Sequence, residues 1–546
     1  MKRTNAIKRI IEAQFIASLL FISTLSFSAL AYINDPKQQN YTIPSWTLYQ
    51  RALSSGQSIE EAKALLVPKE YPYNINTTLN GDPASQMGVA WFTNVGVLGG
   101  VVQIVESESY YTSSFSNAQL IAAEYFAVDT VNYVSIGTER GNSNAELIAS
   151  TGFTAGEKRS YISNKALASN LKPNTTYFYR VGKEDAWSPA GSFTTAKENK
   201  ELFEFIYITD TQANTDANFD ISKKTIEAAY QQVPNAQFLL ITGDHIDSAG
   251  GLSSEWEWEQ WFERAQSTWL HLPIAPTQGN HDTSPYSNLS HHFNTDNSFN
   301  IRLSDDQAKT TMQGIVYSFV YGDALFMVLS FEDYRKGEPY FAALEQWMRE
   351  QVSAHSDIKW RIAAFHKTLF TGSAGHQNDS DGKIVRERFA PLFQELQIDL
   401  AIQGHDHIYQ VIGVVATHGT DIIHLADAVS GQTMVPATPA DGKSISANVK
   451  GIKGGIYDVS NGTLYFLNNS AGKKKYYPRS QEQMEAAFLQ HGVKDYFGLF
   501  NQFGQTGEPT FSHITISTEA IDIKTYTVND NGIAALFDAF KIVKRN

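Results

Sequence analysis

The sequence predicts two domains, an all-β sandwich followed by an α/β domain, on three observations. The chain has 546 residues, more than one hydrophobic core usually serves. Residues 73–196 hold short strand-like runs separated by turn residues. From residue 201, strand-like runs alternate with helical ones, which argues for an α/β core. The composition, 42% apolar and 18% charged, is that of a globular protein.

In order, the chain opens on MKRTNAIKRI and continues into the uncharged FIASLLFISTLSFSALA at 15–31. This run is slightly short for a membrane span of about 20 residues and ends in Ala29-Leu30-Ala31, a small-x-small pattern. Residues 1–31 are therefore expected to be a signal peptide cut before Tyr32, leaving no stable membrane anchor and a periplasmic or secreted protein. The chain has no cysteine, so its stability must come from its core and any bound metals. Residues 32–72 form an N-terminal extension in which SIEEAKALLVP, 58–68, opens on the capping box Ser58 and Glu61 and predicts a short helix.

In the β domain, MGVAWFTN (87–94) and VVQIVES (101–107) read as strands. LKPNTTYFYRVG (171–182) places a Pro-Asn turn before a strand whose Tyr177, Tyr179 and Val181 share one face. The spacing suggests a sandwich of fibronectin-III type, roughly 100 residues long. The polar TTAKENK at 194–200 reads as a linker. Beyond it, strands are predicted at 203–208, 238–241, 274–277, 317–320, 325–329, 360–365 and 398–403, and helices at 222–233 and 253–266. Residues 513–528 read as a closing hairpin, and there is no internal repeat.

The chemically capable side chains fall just past the ends of these strands. Asp210 and Gln212 follow the first, Asp244 and Asp247 the second, and Asn280 and His281 the third. His366 and the Gly404-His405-Asp406-His407 turn follow two more. In open α/β sheets ligands bind at the carboxyl ends of strands. By composition Gly-His-x-His is expected only ~0.02 times by chance. Oxygen and nitrogen donors without thiolates suit Zn, Mn or Fe. Asp210, Gln212, Asp244, Asn280, His366, His405 and His407, with one carboxylate shared, supply eight contacts. That is the number two metals with about four ligands each require. The net charge of −14 argues against a nucleic-acid partner, and an anionic substrate would need local positive charge such as metal ions.

Asp-x-Gln, Gly-Asp-x-x-Asp, Gly-Asn-His-Asp, an isolated His and Gly-His-x-His, in that order, resemble the calcineurin-like metallophosphoesterases. The preceding β domain resembles the N-terminal domain of purple acid phosphatases. Together the resemblance covers about residues 73–528. It implies an αββα four-layer sandwich as the catalytic fold over 201–546. It implies a binuclear centre of two divalent or trivalent ions (Fe, Zn or Mn), where metal-activated water hydrolyses a small phosphorylated substrate, a phosphate monoester. Asp244 would bridge the metals. Asp210, Gln212 and His407 would complete one site, and Asn280, His366 and His405 the other. His281 would act as general acid or charge stabiliser. Two positions depart from the pattern. Asp247 stands where purple acid phosphatases carry a metal-binding tyrosine, as in the serine/threonine phosphatases, and is expected to orient His281. Gln212 stands where many relatives have His, a weaker ligand that leaves the metal identity open.

His376, on a Gly-rich loop, is a candidate phosphate contact, since relatives often bring a histidine from such a loop. His291 and His292 could line the cleft. QNDSDG at 377–382 mimics a calcium loop, but Gln377 and Arg388 occupy the ligand positions, so it reads as a turn. Trp258, Trp261, Phe262 and Ala265 are spaced as core residues. Lys473, Lys474 and Lys475 read as a solvated charge run. The alternatives are a phosphodiesterase or nucleotidase on the same fold, and a catalytically inert surface binding protein. The sequence does not fix an oligomeric state.

Overall fold

The computed structural model describes residues 71–94, 96–130, 159–247, 254–282, 289–295, 314–332, 337–373, 379–418, 421–426, 455–480 and 499–544. A few single residues and short stretches between them, including Phe299 and His376, are also described. The expected signal peptide and, apart from Ser58, the helix at 58–68 lie outside the described residues. The chain divides into two units, Met1–Pro68 and Lys69–Asn546, and all the elements below belong to the second. Among the described residues, no helix is long and apolar enough to cross a membrane.

Two large sheets form the centre. In the first, an 11-stranded sheet, Phe203–Ile208, Leu239–Ile241 and Ile274–Pro276 run parallel side by side. Thr510–Ile516 flanks Phe203–Ile208, followed outward by Ala520–Val528 and Ala534–Val543. The closing hairpin expected at 513–528 thus gains a third strand. In the second sheet, Ala324–Val328, Trp360–Ala364, Leu400–Ile402 and Thr463–Asn468 are parallel, and Tyr317–Tyr321 and Tyr409–His418 pair antiparallel with them. Strands buried on both faces need continuous apolar runs, which explains why LLI, IAP, ALFMV and LAI do not alternate.

The sheets pack face to face. Phe238 sets its ring edge-on to Phe319 at 5.5 Å and to Phe326 at 5.6 Å, and Phe205 does the same to Phe326. The Tyr207 hydroxyl crosses between them to the Gln403 carbonyl. Helices cover the outer faces. Asp216–Gln232, capped by the Thr215 hydroxyl, packs on the first sheet. Glu338–Ala354 and Ser380–Glu395 bury Tyr340, Leu344, Trp347, Phe389 and Phe393 in one core with Leu325, Met327 and Ala363 of the second. The layers therefore run αββα, behind a β-rich N-terminal domain.

That β-rich domain is not a free-standing body. Its strand Tyr73–Thr78 pairs parallel with Ile274–Pro276, and Met87–Asn94, Arg159–Ala168 and Glu124–Thr130 extend the same 11-stranded sheet. The Gln266 side chain grips the Ile75 backbone on both sides, accepting from its N–H at 3.0 Å and donating to its carbonyl at 2.7 Å. The second sheet of this domain joins Val101–Glu106, Thr176–Lys183 and Gly191–Thr194. Tyr177, Tyr179 and Val181 do share its buried face.

Candidate metal centre

Strand ends deliver the site. Asp210 follows Ile208, Asp244 follows Ile241, His366 follows Ala364, and His405 and His407 follow Ile402. At Asp210 (φ 53°), Asp244 (φ 53°) and His405 (φ 74°) the backbone enters the left-handed region, turning sharply out of the strand. Such backbone costs about 1–3 kcal/mol per residue and persists where surrounding structure enforces it, typically at functional sites. Part of the enforcement is Asp282. Its carboxylate accepts from the N–H of Gly279 at 2.9 Å, of Asp244 at 2.9 Å and of His245 at 3.2 Å, tying two loops together.

Two groups of ligand atoms converge on Asp244. Asp244, His366 and His405 form one and Asp210, Asp244 and His407 the other, with one atom per residue and all atoms of a group within 4.8 Å of each other. Around His366 Nε2 lie Asn280 Oδ1 at 3.1 Å, His405 Nδ1 at 3.2 Å and Asp244 Oδ1 at 3.3 Å. His366 Nδ1 is 2.7 Å from the Thr242 carbonyl, which can only accept, so Nδ1 carries the proton. His366 Nε2 therefore points at an amide oxygen, a carboxylate oxygen and a second imidazole nitrogen, a set of donor atoms that a metal ion could gather. In the other group His407 Nε2 is 3.1 Å from Asp210 Oδ1, while Asp210 Oδ2 accepts from the Thr209 hydroxyl at 2.7 Å and the His405 N–H at 3.1 Å.

The electrostatics agree. Burial opposes charge on both His366 and Asp244, but each supplies the other's counter-charge. His366 is pushed up to about 10 by Asp244, and Asp244 is held well below the usual carboxylate range by His366 and His281. In the metal-free protein a proton on His366 thus occupies the electrostatic place of a cation. Burial, with Lys367 and the neighbouring imidazoles, pushes His405 well down, so it stays neutral and able to ligate. The donor set fits two N/O-bound metal ions. Gln212 is buried two residues beyond Asp210.

His281 sits at the rim, half-buried, its N–H donating to Asp244 Oδ1 at 2.9 Å. Its Nδ1 bonds the Asp247 backbone carbonyl, while the Asp247 carboxylate is 3.7 Å away. That carboxylate instead receives Lys474 Nζ and Asn214 Nδ2, the latter at 2.8 Å. The Lys473–Lys475 run is thus not simply a solvated face, because Lys474 reaches inward to the centre. His376 is brought in: its ring lies against His405 with centroids 3.8 Å apart, tilted by 30°, Asp379 binds its Nδ1 at 2.7 Å, and the Tyr476 hydroxyl is 3.4 Å from its Nε2.

His291 and His292 do not line the cleft. His292 is buried between Phe92 (4.5 Å) and Trp258 (4.6 Å), and the His291 carbonyl accepts from Ser163, so both stitch the β-rich domain to the α/β one. Trp258, Trp261, Phe262 and Ala265 are core residues, as their spacing predicts. The reading of 377–382 as a turn is corrected in part, since a helix begins at Ser380 and Asp381 pairs with buried Lys367 at 2.7 Å. Sequence reasoning missed Tyr476, whose ring stacks on His407 at 4.4 Å, and Lys367, which follows His366 and also faces Glu332 at 3.5 Å. Adjacency to His366 could have flagged Lys367; nothing local flags Tyr476.

Residues 72–195 match the family model of the purple acid phosphatase N-terminal domain, and residues 203–409 match that of the calcineurin-like phosphoesterases. The chain is 24% identical over 251 residues to a probable purple acid phosphatase 20 of Arabidopsis thaliana, covering 45% of this chain and 55% of that one. It is 22% identical over 275 residues to a phosphoenolpyruvate phosphatase of Allium cepa, covering 48% and 52%. The chain spans about half the length of the curated relatives it matches. A purple acid phosphatase from yellow lupin (Lupinus luteus) seeds shares the fold at a TM-score of 0.58 and 14% identity, over 88% of this chain and 75% of that one.

Proposed function

We propose that this chain, which carries a purple acid phosphatase N-terminal domain followed by a calcineurin-like phosphoesterase domain, is an exported enzyme that hydrolyses phosphate monoesters at a two-metal centre. The observation that carries the reading is the convergence of two ligand groups on one carboxylate, Asp244. Asp210, Gln212 and His407 would hold one ion and Asn280, His366 and His405 the other. When bound, such ions lower the pKa of water and offset charge on phosphoryl oxygens. The monoester preference rests on the phosphatase type of the N-terminal domain.

The chain's own groups do the rest. Because Nδ1 of His281 must donate to the Asp247 carbonyl, only Nε2 remains to hand a proton to the leaving oxygen. The Asp247 carboxylate lies 3.7 Å from the same ring nitrogen. His376, held by Asp379 and lying against His405, would contact a phosphate oxygen there.

The test is purified protein with its metals quantified, assayed on p-nitrophenyl phosphate and bis(p-nitrophenyl) phosphate beside His281→Ala and Asp244→Ala. The expected result is faster monoester than diester cleavage and metal loss in Asp244→Ala; His281→Ala should retain its metals and lose about 10²–10⁴ on an alkyl ester such as glycerol 2-phosphate, with a smaller loss on p-nitrophenyl phosphate. Equal rates in all three proteins would end the enzyme reading. Faster diester cleavage would move it to a phosphodiesterase.

A further inference from the structure

We infer that Lys474 is a positioning residue for His281, acting through Asp247. The inference rests on the proposed role of His281 and adds a residue that no motif contains.

The Asp247 carboxylate is 1% exposed, and a carboxylate removed from water requires compensation. Lys474 Nζ supplies it at Oδ1, and Asn214 Nδ2 binds Oδ2 at 2.8 Å. From the other side, the Asp247 N–H donates to Glu257 Oε2 at 2.7 Å. The residue is held at its backbone nitrogen and at both carboxylate oxygens, and these bonds set the direction of its carbonyl, the group that receives His281 Nδ1.

Lys474 starts from a fixed point. It lies in the loop after the strand Thr463–Asn468, where the Ala471 N–H donates to the Thr209 carbonyl at 2.8 Å and the Gly472 N–H to the Asp210 carbonyl at 3.1 Å. The loop is therefore anchored to the floor of the metal centre, and Lys474 reports that anchorage to His281. Without the ammonium, the Asp247 carboxylate has His281 Nδ1 at 3.7 Å as a competing donor. Turning toward it would pull the ring off the carbonyl and misdirect Nε2.

The experiment compares wild type, Lys474→Met and Lys474→Arg on p-nitrophenyl phosphate, whose leaving group needs no proton, and on glycerol 2-phosphate, whose alkoxide does. Lys474→Met should lower kcat about tenfold or more on the alkyl ester and less than about threefold on the aryl ester, with KM within about twofold on both. Lys474→Arg should restore most of the alkyl-ester rate. In metal-free protein labelled with ¹⁵N-histidine, with His281 assigned through His281→Gln, Lys474→Met should shift the His281 Nδ1 resonance. Equal losses on both esters, or an unmoved Nδ1 resonance, would overturn the proposal. A rise in KM on both esters with kcat unchanged would also overturn it, because Lys474 would then touch substrate. If wild type cleaves neither ester, the phosphatase reading fails by itself, and the resonance still decides the role of Lys474.

Discussion

Asp244 adopts a backbone conformation that few side chains favour, φ 53°, and shares its carboxylate between two ligand groups. Its metal-free charge state follows from its partner. The depressed pKa of Asp244 contributes stability above its unfolded value of 3.8, lost as pH falls. The raised pKa of His366 contributes fully below 6.5 and is lost as pH rises through about 10. Chelated protein should therefore lose melting temperature between pH 6.5 and 10, and metal-loaded protein should not, because a cation replaces the proton. A flat alkaline profile after chelation would contradict this. Asp247 belongs to the same scale. Asp247→Asn keeps the carbonyl that His281 uses but loses the charge that holds Lys474, so kcat should fall about tenfold with metal content unchanged. Metal loss in that variant, read by elemental analysis, would refute the orienting role. The strand-end ligands were legible because each motif is local and its residue types have few other uses in such turns. Lys474 was not, since its partner lies 227 residues away.

The strands place these residues, and the glycines beside them set how closely the loops approach. A Cβ on Gly404 would lie 2.4 Å from Thr209 Oγ1 and 2.6 Å from the Thr242 carbonyl oxygen. The carbonyl is backbone, two residues before Asp244, and cannot withdraw without moving that loop. Gly404→Ala should destabilise the protein by about 1–3 kcal/mol and lower metal occupancy, although alanine has no ligand chemistry. Chemical denaturation and metal analysis check it; unchanged occupancy would show that the spacing is not set here. Element types were legible where both faces are buried, as in the FIYI of Phe203–Ile208 and in LLI, which give uninterrupted apolar runs. The helix Ser380–Glu395 was harder to read, because Pro391 lies inside it and its first turn overlaps a turn-like Asn-Asp-Ser-Asp-Gly.

Across the whole molecule, the boundary at 194–200 separates two patterns in the sequence but not two bodies in space. One sheet runs from the catalytic strands into the β-rich domain through Thr78 opposite Ile274, with Gln266 clamping Ile75 beside the junction. Composition cannot show such a junction, because an edge strand that pairs with a neighbouring domain reads like any other. A chain beginning at residue 200 would expose the Ile274–Pro276 strand edge and the His292 ring face that stacks on Phe92, and it should melt at least about 10 °C lower or aggregate. Melting close to that of the full chain would show the shared sheet to be dispensable. The account as a whole depends on two cations meeting at Asp244. The most direct measurement is anomalous diffraction from crystals of the metal-loaded protein at the absorption edge of the bound metal. The account predicts two peaks about 3.5–4 Å apart, both touching Asp244, one beside Asp210 and His407 and the other beside His366 and His405. A single peak, or peaks away from Asp244, would contradict it.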